Sequence, residues 1–164
     1  MTGPRRGHFV DAGAGERLTY EGTDRRIKLS GATSEGRLTV YESAYAAGVA
    51  HPLHIHHDAS ESFFLLEGTC RFRVGDEVIV AGPGSFLSVP RGATHGLVPV
   101  GGPARALVMF APAAMEGFWE EIAGAAEAGT LDDARLERLQ HAHRVEIVGP
   151  WPEDGYGGRG SGRS

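Results

Sequence analysis

Short strand-like runs separated by glycine and proline turns dominate the chain between residues 25 and 110. The turns include Gly82-Pro83-Gly84 and Gly101-Gly102-Pro103, and such signals recur roughly every 8–12 residues. The runs, rich in β-branched and aromatic residues, lie at residues 25–30, 37–45, 62–66, 69–74, 77–80, 85–89, 94–100 and 104–110. Many short strands with this spacing predict an all-β sandwich or barrel.

One of these runs has an unusual composition. Residues 62–66 (SFFLL) are apolar at nearly every position, whereas a strand with one solvated face alternates apolar and polar residues. We therefore expect this strand to be covered on both faces.

The pattern changes after Pro112, where apolar residues recur with helical spacing. Met115, Phe118, Trp119 and Ile122 stand at i, i+3, i+4 and i+7, which predicts an amphipathic helix. We expect its apolar stripe to pack against the outside of a sheet.

A second helix is predicted to follow and to run to about His143. Thr130 is its candidate N-cap, with Asp133 three residues later as an imperfect capping box. Residues 145–148 then predict a further strand or a packed extension. The chain is accordingly divided into a loose N-terminal arm (1–16), a β-barrel (17–112), C-terminal helices that pack on the barrel (113–148) and a disordered tail (149–164).

Composition narrows the possible functions. The 164 residues are 41% hydrophobic and 23% charged, as in an ordinary globular domain. The net charge of −5 argues against nucleic-acid binding, which depends on neutralising phosphates. Cys70 is the only cysteine, which excludes an intramolecular disulfide and a zinc–thiolate cluster.

The N-terminus does not predict export. Arg5 and Arg6 are not followed by an apolar run, so we expect no signal peptide. No apolar stretch reaches the length needed to span a bilayer. We therefore expect a cytoplasmic protein with no membrane partner.

Histidines and an acid cluster between residues 48 and 68. His54 and His56 are two residues apart, so on a strand both imidazoles project to one face, while His57 points away. After a short turn, Glu61 begins the next strand and can face the same space. Two histidines and a carboxylate are the ligands of a facial metal triad, and His95 is a candidate fourth ligand.

Two spaced motifs carry a family resemblance. Gly48-x5-His54-x-His56-x4-Glu61-x6-Gly68 and Gly84-x5-Pro90-x-Gly92-x2-His95 resemble the two cupin motifs. The second motif departs from the family only at Pro99, where cupins have a variable Asn that is not a metal ligand. The resemblance implies a cupin jelly-roll barrel, or double-stranded β-helix, with a short C-terminal helical appendix.

The resemblance also implies a cofactor. His54, His56, Glu61 and His95 would bind one divalent transition metal inside the barrel, from the series Fe, Ni, Mn, Co, Cu and Zn, all of which accept such ligands. If Glu61 leaves the metal, it becomes a catalytic base beside a Lewis acid.

Four further residues are candidates for the substrate pocket. Parity along the strand places Phe63 on the same face as Glu61. Phe72 and Met109 are expected to line the barrel, and His51 is expected near the pocket mouth.

A narrower resemblance points to a reaction. The runs PLHIHHDASESFFLLEG, TCRFRVGDE, FWEEIAG and VEIVGP are similar to the bacterial quercetin 2,3-dioxygenase-like monocupins, over about residues 25–150. It implies a dioxygenase whose enolic flavonol binds through a deprotonated hydroxyl. Glu61 would accept that proton before dioxygen opens the ring with loss of carbon monoxide. The partners expected are therefore a phenolic or enolic small molecule, dioxygen and, as in many cupins, a second copy of the chain in a homodimer.

Two alternatives remain open from the residues. The same metal and Glu61 would suit a non-oxidative enzyme, such as an isomerase, cyclase or dehydratase of a natural-product pathway. A barrel that only binds a small molecule is the other alternative, and the complete ligand set argues against it.

Overall fold

A computed structural model describes residues 7–152, which form two antiparallel sheets and two helices. The elements in chain order are β1 (Arg17–Tyr20), β2 (Thr23–Leu29), β3 (Thr39–Tyr45), β4 (Leu53–His56), β5 (Ser60–Glu67), β6 (Cys70–Val74), β7 (Glu77–Ala81), β8 (Phe86–Val89), β9 (His95–Pro99), β10 (Ala104–Ala111), α1 (Glu116–Glu127), α2 (Asp133–Ala142) and β11 (Val145–Gly149).

The chain passes repeatedly between the two sheets. The first sheet has the strand order β1-β2-β3-β10-β5-β8, and the second has the order β11-β4-β9-β6-β7. From β3 to β6 and again from β8 to β10, each strand lies in the opposite sheet from the one before it. This is the jelly-roll arrangement, so the predicted fold class is confirmed.

The core lies between the sheets and follows from residue alternation. Along β3 and β10, every second side chain is buried, which places Tyr41, Tyr45, Val108 and Phe110 on the inner faces. Fully burying one such side chain contributes roughly 1.5–3 kcal/mol. These inner faces define the space in which the candidate site is built.

The expectation that residues 62–66 are covered on both faces was wrong. On β5, Phe63 and Leu65 are buried, but Phe64 on the opposite face is 36% exposed. Its direct neighbour across the strands is Phe86 of β8, which is 62% exposed. The helices pack elsewhere, so the outer face of this antiparallel sheet is left to solvent.

Helix α1 was predicted correctly, but its packing was not. Phe118 and Ile122 are buried in the same hydrophobic cluster as the barrel core. They line the cavity between the sheets instead of covering the outside of a sheet. The Glu116 side chain accepts hydrogen bonds from the Gly31 amide and the Thr39 hydroxyl, each at 2.5 Å. These bonds attach the start of α1 to the β2–β3 connection.

Helix α2 begins with a different cap from the one predicted. The Asp132 carboxylate accepts a hydrogen bond from the Arg135 amide at 2.7 Å, as an N-cap does. Thr130 instead donates its hydroxyl to the Ala125 carbonyl at 3.3 Å. The helix therefore starts two residues later than the predicted cap implies, with Asp132 bonded to the amide three residues after it.

The chain returns to the barrel after α2. β11 pairs with β4, with Val145 opposite His56 and Ile147 opposite His54. The strand alternative for residues 145–148 is therefore confirmed, and Gly149, which was placed in the tail, closes this strand.

The chain ends were predicted to be a loose arm and a disordered tail. Ala14 of the predicted arm is held by β2, since its carbonyl accepts a hydrogen bond from the Lys28 ammonium at 2.7 Å. Residues 1–6 and 153–164 lie outside the described range. Of the helices that the structure describes, neither is long and apolar enough to cross a membrane.

Candidate metal centre and substrate cavity

Three histidines converge on the inner face of the second sheet. His54 and His56 are alternate residues of β4, so they share a face. His95 of β9 pairs directly with His54 across the two strands. The ring centroids of His54 and His95 are 4.3 Å apart, and those of His56 and His95 are 5.4 Å apart.

Glu61 reaches the histidines from the opposite sheet. Its Oε2 atom lies 2.7 Å from Nε2 of His95, 3.1 Å from Nε2 of His56 and 4.0 Å from Nε2 of His54. The four potential ligand atoms all lie within 4.8 Å of one another. The structure thus brings together all four residues that the sequence predicts as metal ligands.

Backbone carbonyls orient two of the imidazoles. Nδ1 of His54 lies 2.8 Å from the Pro52 carbonyl, and Nδ1 of His95 lies 3.0 Å from the Ala93 carbonyl. A carbonyl only accepts, so each Nδ1 carries the hydrogen and donates it. With the hydrogen on Nδ1, an unprotonated Nε2 would present its lone pair to the centre of the cluster, as metal-binding histidines require.

The electrostatics of the cluster keep Glu61 ionised. Burial opposes its charge, but hydrogen bonds from His56 and His95 outweigh that effect and hold the pKa of the carboxyl well below its usual range. Burial, together with the neighbouring His95 and His56, lowers the pKa of His54 to about 3. For His95, burial is outweighed by the hydrogen bond to Glu61, which raises its pKa.

This donor set fits a divalent transition metal. It offers two imidazoles with their tautomer set by carbonyls, a third imidazole and one ionised carboxylate, which suit Mn, Fe, Co, Ni, Cu and Zn. Nδ1 of His56 has no hydrogen-bond partner among residues 7–152. Its ring is held by Phe110 in an edge-to-face contact at 5.2 Å. The cluster could therefore hold a metal ion, whose identity the donor set leaves open.

The cluster lies on the wall of a cavity of about 310 Å³ between the sheets. This volume is at the lower end of the range for small-molecule sites. Phe63, Val108 and Phe110 of the first sheet line it, and residues of α1 and α2, including Ile122 and Leu136, close it.

Two predicted pocket residues lie elsewhere. Phe72 is buried beneath the lining, with its ring centroid 5.0 Å from that of Phe63. Met109 lies on the outer face of β10, because the pairing of Phe110 with Glu61 directs residue 110 inward and residue 109 outward. Neither side chain lines the cavity.

His51 and His57 differ sharply in environment. His51 lines the cavity, with Nε2 2.9 Å from the Thr23 hydroxyl and its ring edge-on to Tyr45. Burial, with a smaller effect of the Arg25 charge, lowers its pKa to about 4. His57 points away from the cluster and meets Glu146 at 2.8 Å on the surface, as alternation predicts.

Three polar residues on the cavity wall were not predicted from the sequence. Arg25, Tyr41 and Tyr45 are buried and line the cavity. The guanidinium carbon of Arg25 lies 3.6 Å from the ring centroid of Trp119 in α1. Alternation along β2 would have placed Arg25 on the same face as Ile27, so a charge on an apolar face was the available signal.

Comparison with known proteins finds similarity over the barrel. The model of the family described as "Cupin domain" matches residues 41–110. The structure of KdgF from Halomonas sp. is similar at 18% identity and a TM-score of 0.59, over 65% of this chain and 94% of that one. The structure of an RmlC-like cupin from Shewanella frigidimarina is similar at 22% identity and a TM-score of 0.59, over 69% of this chain and 96% of that one.

TT1209 from Thermus thermophilus is similar at 28% identity and a TM-score of 0.51, over 59% of this chain and 90% of that one. No curated protein sequence matches the chain. At 18% and 22% identity, the similarities to KdgF and to the RmlC-like cupin concern the fold alone.

Proposed function

We propose that this chain, whose barrel is a cupin domain, is a metal-dependent dioxygenase acting on a phenolic or enolic small molecule. One observation carries the proposal. Three imidazoles and an ionised carboxylate converge, within 4.8 Å of one another, on a largely apolar cavity of about 310 Å³. The quercetinase-like sequence runs support the oxidative reaction.

His54, His56, Glu61 and His95 would hold one divalent ion, as their converging Nε2 and Oε2 atoms allow. When bound, such an ion supplies a Lewis acid that favours ionisation of a substrate hydroxyl and, if redox-active, the means to use dioxygen. A dioxygenase places both oxygen atoms in the oxidised product, so the reaction needs no separate reductant.

Glu61 is the proposed catalytic base. All three of its contacts with the imidazoles run through Oε2, which leaves Oε1 to accept the proton of a substrate hydroxyl. The pKa of the carboxyl lies well below its usual range, because hydrogen bonds from His56 and His95 outweigh the effect of burial. With the ion bound, those Nε2 atoms would be ligands, and the nearby cation would favour the ionised carboxylate in their place. A base must be unprotonated and within hydrogen-bond reach, and Glu61 meets the first condition in the structure.

The cavity walls would protect the ionised substrate from water. Phe63, Val108 and Phe110 from the barrel, with Phe118 and Ile122 from α1, present apolar surface around the cluster. Excluding water strengthens the interactions of the charged groups inside and suppresses side reactions of an enolate.

A non-oxidative reaction is the second candidate, and Tyr41 is the observation that favours it. Its buried hydroxyl has no hydrogen-bond partner among the described residues, and burial raises its pKa, so it stays protonated. A hydroxyl donor and the Glu61 base on one cavity would suit enolisation, isomerisation or dehydration. Zinc as the native metal would favour this candidate.

The experiment combines metal analysis with oxygen uptake. Protein purified anaerobically is reconstituted with each of the six metals and assayed in an oxygen electrode with flavonols and with phenolic or enolic acids. We expect uptake with at least one metal, and we expect Glu61→Gln to retain metal but lose turnover. His57→Gln, on the surface, is the matched control and should behave as the wild type. Absence of oxygen uptake with every metal would overturn the dioxygenase, and turnover without oxygen would establish the second candidate.

The homodimer stays a prediction. Phe64 and Phe86 form an exposed apolar pair on the outer face of the first sheet, and such residues suit an interface. Light scattering on the purified protein measures the mass directly, and a monomer at all concentrations would contradict the prediction.

A further inference from the structure

We infer that Arg25 and Tyr41 form a subsite that binds a carboxylate group of the ligand in the barrel cavity. The inference rests on the proposed function for the view that this cavity holds a substrate, and it adds the class of that substrate. It is carried by two buried hydrogen-bond donors that lack acceptors.

Arg25 is a buried cation with no anionic partner in the described part of the chain. The residue is 6% exposed, and none of the described residues forms a hydrogen bond with its Nη1 atom. Within residues 7–152, no carboxylate forms a salt bridge with it at 4.0 Å or less. Buried charges are almost always paired, so a partner from outside the chain is the simplest completion.

Trp119 orients the guanidinium without occupying its donors. The indole lies against the guanidinium at 3.6 Å, where a cation–π contact is favourable. The N–H groups of arginine lie in the guanidinium plane, so a ring stacked on its face leaves the edge available. That edge matches the two oxygens of a carboxylate.

Tyr41 supplies a second unpaired donor on the same wall. It is 1% exposed, and its hydroxyl has no partner among the residues that the structure describes. β2 pairs with β3 so that Arg25 is opposite Ser43, which is two residues from Tyr41. Arg25 and Tyr41 are therefore diagonal neighbours on the inner face, a separation that long side chains span.

The charge of the cavity also favours an anion. Glu61 is the one carboxylate in the cluster, and a divalent ion bound there with three neutral imidazoles leaves a net positive charge. Arg25 adds a positive charge on the same cavity, and Glu21, which also lines it, adds a negative one. With the ion bound, a net positive charge remains, which an anionic ligand would neutralise and a neutral ligand would not.

A carboxylate fits better than a phosphate. Among the described lining residues, Arg25 is the only lysine or arginine. Phosphate sites usually combine several donors from cations, backbone amides or a helix N-terminus. One guanidinium edge and one hydroxyl match the smaller, planar carboxylate.

Benzoate is the probe, titrated by calorimetry into the full chain, both as purified and after chelation of metal. We expect benzoate to bind, and we expect benzamide, the same shape without charge, to bind at least about ten-fold more weakly. Arg25→Gln and Tyr41→Phe should each weaken benzoate binding by about ten-fold. Arg26→Gln, the outward neighbour on β2, is the matched control and should bind as the wild type.

Several outcomes overturn the subsite. They are no benzoate binding at about 10 mM, equal binding of benzamide, tighter binding of phenylphosphonate than of benzoate, or wild-type affinity in Arg25→Gln. Circular dichroism confirms that each variant is folded. If Arg25→Gln is not, Arg25→Lys keeps the charge without the planar edge and should still weaken binding.

The test is independent of the proposed function. Metal content and turnover are measured on the same samples. If the wild type binds no metal and shows no turnover, the proposed function is overturned. The benzoate titration still tests the subsite in that case. If the wild type turns over and Arg25→Gln binds benzoate as tightly as the wild type, only the subsite is overturned.

Discussion

His54 of β4 and His95 of β9 are directly paired across two antiparallel strands, with their ring centroids 4.3 Å apart. Glu61 completes the cluster from the opposite sheet, 2.7 Å from His95. A metal held by these residues would join the two sheets through their inner faces. Since a ligand that binds only the folded state stabilises it, metal binding and barrel stability should be linked.

Removal of one cluster histidine should release the metal. We expect His95→Ala to lower metal affinity by at least about a hundred-fold, because even residues that only support metal ligands contribute ten- to a hundred-fold. His57→Ala should have no effect, since that imidazole meets Glu146 at the surface. Metal titration by calorimetry measures both, and equal losses in the two variants would contradict the assignment.

Replacement of Arg25 should stabilise the metal-free protein. Arg25 is buried with no carboxylate of the described residues within 4.0 Å. Even a buried ion pair can often be replaced by apolar residues with a gain of about 1–4 kcal/mol, and an unpaired buried charge is more costly than a pair. Loss of the contact with Trp119 opposes this by roughly 0.5–2 kcal/mol. We therefore expect Arg25→Met to raise the free energy of unfolding by about 1 kcal/mol, measured by urea denaturation. Arg26→Met is the control, and a fall in stability confined to Arg25→Met would indicate a structural role for Arg25.

Acid should destabilise the metal-free protein partly through His51. The folded protein lowers the pKa of His51 from 6.5 to about 4, mainly by burial, so the unfolded chain binds this proton more readily. The stability contributed by neutral His51 is present above pH 6.5 and is lost as the pH falls towards 4.

Between these two pH values, His51 should change the free energy of unfolding by about 1.4 kcal/mol per pH unit. His51→Gln should remove this part of the slope between those pH values, measured by denaturant titration at several pH values. His57→Gln, which changes an exposed histidine, should leave the slope as in the wild type. A steep slope retained in His51→Gln would show that other groups dominate.

The cap of α2 should depend on Asp132. Its carboxylate accepts the Arg135 amide at 2.7 Å, and loss of such a cap costs about 0.5–2 kcal/mol. Asp132→Ala should lower the melting temperature by several degrees, at roughly 2–4 °C per kcal/mol for a chain of this size. Thr130→Ala should cost less, because its hydroxyl bonds to the Ala125 carbonyl and not to the first turn of α2. A larger loss of stability in Thr130→Ala than in Asp132→Ala would show that Thr130 is the cap.

Most strands, both helices and the four residues of the cluster were predictable from the sequence, whereas β1 (Arg17–Tyr20) was not among the predicted runs. These depend on local features: residue alternation, turn residues and the spacing of two motifs. His54 and His56 share a face because side chains alternate along any strand.

Which faces are covered, and which further side chains enter the cavity, depends on how the elements pack together. Alternation groups Met109 with Leu107 and Phe110 with Val108, but the pairing of Phe110 with Glu61 decides which group points inward. The exposure of Phe64 likewise depends on α1 and α2 packing elsewhere. Arg25 is a charge on a strand in the sequence, and it becomes a buried, unpaired cation only when β3 and Trp119 pack around it. Burial is a property of contacts between distant segments, so it is absent from local sequence.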